Sequence, residues 1–178
     1  MTTLVQKILG VHRLLDESEV AHAFGGALAL AFHVGEPRAT RDIDVNIFLP
    51  PLRADRVGQA LAAHVTLTKD QCDTAQTDGQ VRVFWDDTPI DLFFNTHKFH
   101  DDATRYVEEH DFAGARIPIL GADHLAVFKT IFNRTKDWAD IEEMVAVDSI
   151  DQPRVAGWLL EILGPDDERV RRFLALHK

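Results

Sequence analysis

The chain has 178 residues, a formal net charge of −10 and 46% apolar residues, enough for one domain, or for a core with a small appendage. That charge argues against broad, nonspecific coating of nucleic acid, which relies on Lys and Arg, but it leaves room for a local basic groove. No apolar run approaches a membrane span, the N-terminus MTTLVQKILGVHRLL is amphipathic rather than signal-like, and the single cysteine, Cys72, cannot form an internal disulfide, so the expectation is a cytoplasmic protein.

In chain order, Leu4, Ile8, Val11 and Leu15 line one face of a helix. HAFGG reads as a short strand entering a glycine turn, ALALAFHV as a compact helix, and GEPRATR as a connector. DIDVNIFL reads as a strand stopped by Pro50 and Pro51. Residues 53–64 look helical, and the polar stretch KDQCDTAQTDGQ looks like a loop. VRVFWDD and PIDLFFN read as two strands separated by a tight turn at Asp87–Pro89. After Gly121 the spacing becomes helical in ADHLAVFKTIFNR, with Leu125, Phe128 and Phe132 on one face, and again in KDWADIEEMVAV. Two more helices are expected around 153–163 and 166–177, parted by Gly164 and Pro165. The fold class is therefore α+β: a small mixed β-sheet core flanked by helices over 1–120, and a C-terminal helical portion over 121–178.

Asp42 and Asp44 lie two apart at the start of a strand, so they project to one face while Ile43, Val45 and Ile47 face the other. Like charges that close repel, by about 1 kcal/mol at ~4 Å in water and roughly 4 at a partly shielded surface. A third carboxylate, Asp91, sits inside the apolar run PIDLFF, where a charge is costly unless paired or bound to a metal. If the two strands are neighbours, three carboxylates converge into the hard oxygen environment that Mg²⁺ prefers when substrate phosphates complete its shell. The plainer alternative has Asp42 capping a strand edge, Asp44 pairing with an arginine and Asp91 ending a hairpin. Two other D-x-D chemistries fit poorly. Aspartyl phosphatases place the motif after a long apolar strand, whereas here the apolar run follows it, and glycosyltransferases use a larger sheet. His97 and His100 have a metal-like gap, but no second Cys or His cluster supports a zinc site. Arg38 with Arg41, the group Lys129, Arg134 and Lys136, and the group Arg169, Arg171 and Arg172 are basic clusters that read either as solvated faces or as binding surfaces.

With Gly25-Gly26, a sixteen-residue step to Asp42-Ile43-Asp44, and Asp91 on a later strand, the sequence resembles the DNA polymerase β-like nucleotidyltransferase superfamily. More narrowly, RATRDIDV looks like the R-x-T-x-D-[IL]-D segment of the AbiEii-type nucleotidyltransferases, which include toxins of toxin–antitoxin pairs. LAVFKTIFNRTKDWADIEEMV is similar to that family's later motif, a helical Lys, then Arg, then [RK]-D-x-x-D. Together the matches span residues 22 to 145. Many members carry Ser after the first glycine, where this chain has Gly26, so backbone N–H groups at the turn and helix start would hold the phosphate alone.

The resemblance implies a Mg²⁺-dependent attack of an acceptor hydroxyl on the α-phosphate of an NTP. Asp42 and Asp44 would hold Mg²⁺, Asp91 would complete a second metal position and act as base, and Gly25 and Gly26 would line the triphosphate. Lys129 would reach the phosphates as a point charge, the alternative being a snorkelling surface lysine. Asp137 and Asp140 stand at i and i+3 near a helix start, where the dipole favours them, and Lys136 with Asp140 makes an i,i+4 pair; a structural role suffices for both aspartates, beside a direct part in the site. Arg38 and Arg41 would contact phosphates or acceptor, or neutralise the aspartates. The implied acceptor is an RNA end, such as the 3′ end of tRNA, with an antitoxin as a possible protein partner. A small molecule such as an aminoglycoside, or a protein side chain, is the alternative acceptor, and the acidic net charge lends the small molecule weight. An inert nucleotide-binding module is the rival outside enzymes, and so costly a cluster of aspartates speaks against it.

Overall fold

The computed structural model describes residues 2–36 and 39–176, so the expectation for Arg38 lies outside the described residues. Contacts divide the chain into two compact units, Met1–Leu28 with Ala39–Leu120, and Ala29–Arg38 with Gly121–Lys178.

The first unit opens with helix α1 (Leu4–Glu17), started by a capping box in which Thr3 and Gln6 satisfy each other's backbone N–H groups. Its apolar stripe buries Ile8, Val11 and Leu15. Strand β1 (His22–Phe24) leads into helix α2 (Gly26–Val34), which belongs to the second unit from Ala29 on, and strand β2 (Ile43–Ile47) follows the connector. Helices α3 (Ala54–Leu61) and α4 (Lys69–Asp78) precede the hairpin β3 (Gln80–Trp85) and β4 (Thr88–Phe94). Helix α5 (Lys98–Ala103) and a second hairpin, β5 (Glu108–Phe112) and β6 (Ala115–Ile119), complete the unit.

The described strands form one mixed sheet in the order β3-β4-β2-β1-β6-β5. β2 runs parallel to β4, and β1 runs parallel to β6; the other neighbours are antiparallel. One face of the β3-β4-β2 half is the core, carrying Val81, Val83, Trp85, Ile90, Leu92, Phe94, Ile43, Val45 and Ile47, all buried. The other face of β3 and β4 alternates to exposed or partly exposed residues, the pattern of a sheet with one open side.

The second unit is helical: α6 (Ala122–Phe132), α7 (Thr135–Ala146), α8 (Gln152–Leu163) and α9 (Glu168–Leu174). Its core gathers Leu125, Val127, Trp138, Ile141, Met144, Val155, Leu159, Val170 and Phe173. The Trp138 indole N–H donates to Asn133 Oδ1 at 2.7 Å, and the Arg172 guanidinium lies over the indole ring at 4.1 Å.

Two expectations need correction. The polar stretch around Cys72 is helix α4, not a loop: a Thr68–Gln71 capping box starts it and Gly79 ends it in the left-handed conformation. Its residues show almost no apolar stripe because Ala75 alone is buried, so periodicity carries no signal there. On α6 the buried face runs through His124, Leu125, Ala126, Val127, Lys129 and Thr130, while Phe132 is exposed. The Phe128 and Phe132 rings stack on each other, with centroids 6.4 Å apart.

Candidate active site

The hairpin and the β2–β4 pairing set the site by register. Asp44 is the direct partner of Asp91 across the parallel pair, and Arg82 is the direct partner of Asp91 across the antiparallel one. Directly opposed residues share a face. Arg82, Asp91 and Asp44 therefore form a row across three adjacent strands, each step about 4.8 Å in the hydrogen-bonding direction. The row reaches the glycine turn beyond β1, where the Gly25 N–H donates to the Asp44 carbonyl at 2.9 Å. Gly26 has φ +55°, and a Cβ there would overlap the Asp44 carboxylate. The turn and the aspartate are packed as closely as a missing side chain allows.

Asp42 sits in the bend just before β2 and accepts a hydrogen bond from Thr40 Oγ at 2.6 Å. Arg41 beside it is exposed. Asn46, two residues past Asp44 on the same strand face, is buried with its Nδ2 against Gly25, and its Oδ1 accepts no hydrogen bond from any described residue.

Asp91 does not stand open. The Arg82 guanidinium donates from Nε to Oδ1 at 2.7 Å and from Nη2 to Oδ2 at 2.6 Å, a bidentate pair. These bonds, then the Asp91 charge itself, and further out the charges of Asp42 and Asp44, raise the guanidinium pKa above its ordinary value. One arginine thus lies in the field of all three carboxylates. Sequence reading missed it through the register of the hairpin. The turn is Asp86–Asp87, so Trp85 pairs with Thr88, and three residues back on each strand Arg82 meets Asp91. A turn placed at Asp87–Pro89 slides the pairing, and Arg82 then faces elsewhere.

Among the described residues no three His, Cys, Asp or Glu side chains are gathered as a metal cage. Asp44 and Asp91 stand abreast, as their strands require, but Asp91 turns both oxygens to Arg82. Asp42 and Asp44 offer an all-oxygen donor set, with the Asp44 carboxylate filling the place a Gly26 side chain would take, and that donor set suits Mg²⁺ with phosphate oxygens as further ligands.

The remaining candidates lie in the second unit and form their own cluster. Lys129 is buried rather than snorkelling, with Nζ donating to Asp140 Oδ2 at 2.7 Å and standing 3.9 Å from Asp137 Oδ1. Asp137 is wholly buried. It accepts from the Arg134 backbone N–H at 3.1 Å, and from the Arg134 guanidinium at 2.6 and 3.0 Å, so the N3 carboxylate of α7 reaches back over the start of its own helix. The geometry gives Asp137 a cap and a charge partner for Lys129. His97, with His100 the weighed zinc pair, serves as the N-cap of α5, its Nδ1 accepting from the Phe99 N–H at 3.1 Å.

No family model matches the chain, and no curated protein sequence matches it. Solved structures do. ANT(2")-Ia in complex with adenylyl-2"-tobramycin matches over 97% of this chain and 98% of its own, with a TM-score of 0.65 and 14% identity. The fold is that of a nucleotidyltransferase. The lincosamide antibiotic adenylyltransferase LnuA, bound to lincomycin, matches over 81% of this chain and 98% of its own, at TM-score 0.56 and 14% identity. An antigenic nucleotidyltransferase-like protein from Paracoccidioides brasiliensis matches over 97% and 85%, at TM-score 0.55 and 15% identity. The nucleotidyltransferase fold thus extends over most of the chain.

Proposed function

We propose that the protein is a Mg²⁺-dependent nucleotidyltransferase that moves an NMP from an NTP to an acceptor hydroxyl. The observation that carries this reading is the row itself: a glycine turn, Asp44 and Asp91 side by side on the open face of a sheet with the nucleotidyltransferase fold. Gly25, Gly26 and the N-terminus of α2 would line the triphosphate with backbone N–H groups. Asp42 and Asp44 would hold Mg²⁺, which when bound neutralises phosphate charge. Asp91 would take the proton of the acceptor hydroxyl. The hydroxyl oxygen bonds to the α-phosphorus, the bond from that phosphorus to the α–β bridging oxygen breaks, and pyrophosphate leaves. Arg41, exposed beside Asp42, would meet phosphate or acceptor, and Lys129 and Asp137 would support the second unit as a buried charge cluster.

For the acceptor, a small-molecule hydroxyl is now the better-supported reading. The neighbours matched over 98% of their own chains carry tobramycin and lincomycin chemistry. A net charge of −10 suits a cationic acceptor. Of the basic residues expected to meet RNA, Lys129 is held by Asp140 and Arg134 by Asp137. An RNA end, with an antitoxin partner, remains the second reading, favoured by the stretches RATRDIDV and LAVFKTIFNRTKDWADIEEMV.

The test incubates the protein with Mg²⁺ and each labelled NTP, against aminoglycoside and lincosamide panels and against total RNA, with Asp44→Asn as control. Label on a small molecule, absent in Asp44→Asn, supports the reading. Label on RNA alone moves the acceptor to the second reading. No transfer from any NTP to any acceptor overturns it.

A further inference from the structure

Transfer chemistry explains Asp42, Asp44 and Asp91 but leaves Arg82 without a task. We propose that Arg82 stands in for a second divalent cation: with its fork closed on Asp91, the protein without nucleotide takes one divalent ion, on Asp42 and Asp44, and Asp91 accepts another only when Arg82 is released. The inference rests on the nucleotidyltransferase reading of the same site.

The geometry argues for it in three steps. First, the pairing is imposed by the fold, since the two-residue turn puts Arg82 directly opposite Asp91 on the open face. Second, the fork uses both Asp91 oxygens, at 2.7 and 2.6 Å, so the ion pair and a metal ion compete for the same atoms. Guanidinium keeps its proton at any working pH, so the competitor is a permanent single positive charge. Third, the two partners differ in freedom. β3 is an edge strand and the Arg82 side chain is 52% exposed, whereas Asp91 is 19% exposed on an interior strand. The arginine is the partner that can swing out.

The same arrangement places a positive charge beside Asp44 and Asp91, which stand one strand apart, and the guanidinium feels Asp42 and Asp44 as well. Arg82 is in this view a positioning residue: it fixes Asp91 and sets the order in which cations enter.

The experiment titrates Mn²⁺ into the full chain without nucleotide and counts bound ions from the loss of the free-ion EPR signal. The wild type and Asp91→Asn should each bind one Mn²⁺ per chain. Arg82→Gln should bind two, and the double variant Arg82→Gln/Asp91→Asn should return to one, which locates the gained ion on Asp91. Arg82→Lys, which keeps the charge but loses the fork, should bind the second ion at least tenfold more weakly than Arg82→Gln. Two ions in the wild type, or one in Arg82→Gln with native circular dichroism, overturns the role of Arg82 and leaves nucleotidyl transfer standing. No Mn²⁺ on any of these proteins overturns the metal reading of the site, and this inference with it.

Discussion

Replacing Gly26 probes the packing of the glycine turn against Asp44, and Gly26→Ser is the informative change because it sets a small polar side chain against the Asp44 carboxylate. Two costs add in this chain. The residue has φ +55°, and a side chain in the left-handed region costs about 1–2 kcal/mol. Its Cβ would also land in the Asp44 carboxylate, forcing that side chain off its rotamer at about 0.5–1.5 kcal/mol. The sum, about 1.5–3.5 kcal/mol, lowers Tm by roughly 3–14 °C for a chain of this size. Gly114→Ala is the control: it has φ +88° with nothing within 4 Å of an added Cβ, so it meets the backbone cost alone. Thermal melts with and without Mg²⁺ and NTP read both effects. Gly26→Ser should melt below Gly114→Ala and lose the ligand-induced rise that Gly114→Ala keeps. The reasoning fails if Gly26→Ser melts level with the control and retains the full ligand shift.

Asp44→Asn should stay folded yet show no rise in Tm with Mg²⁺ and NTP, where the wild type gains about 2.7 kcal/mol at a hundredfold excess over Kd. His22 is buried, and burial is the main cause that lowers its pKa from 6.5 to about 4, with the His12 charge adding to it and a hydrogen bond to the Val20 carbonyl opposing. Between those pH values the unfolded chain takes up a proton that the folded chain refuses, so stability falls by about 3 kcal/mol as pH drops from 6.5 to 4. Urea melts of His22→Gln should show that part of the pH slope removed. Lys129→Met should cost about 3–5 kcal/mol by taking the buried ammonium partner from the Asp140 carboxylate, and Lys129→Met/Asp140→Leu should recover most of it; a double variant as unstable as the two singles combined would contradict the pairing. Thr68→Ala should cost about 1 kcal/mol by removing the cap of α4, measurable by the same melts.

Much of the fold was legible because it is written in local periodicity. The alternation in DIDVNI and in VRVFW sorts core face from open face before any partner strand is known, and the 3.6-residue spacing after Gly121 announces helices. The helix α4 escaped because its signal is two caps rather than an apolar stripe. The candidate site divides in the same way. Gly25-Gly26 and Asp42-Ile43-Asp44 are short-range patterns, and the cost of a lone carboxylate in PIDLFF marks Asp91 from its neighbours alone. Tertiary structure decided which charges meet. Arg82 reaches Asp91 only because a two-residue turn sets one register among several, and Asp44 comes abreast of Asp91 only through a parallel pairing of strands far apart in sequence. Lys129 and Asp140 lie eleven residues apart on different helices, and their ion pair depends on how α6 meets α7. The close approach of Gly26 to Asp44 depends on a left-handed φ that glycine permits but does not impose. A residue's own periodicity sets which way it faces, whereas its charge partner is set by register and helix packing, which depend on contacts between segments that no local stretch contains.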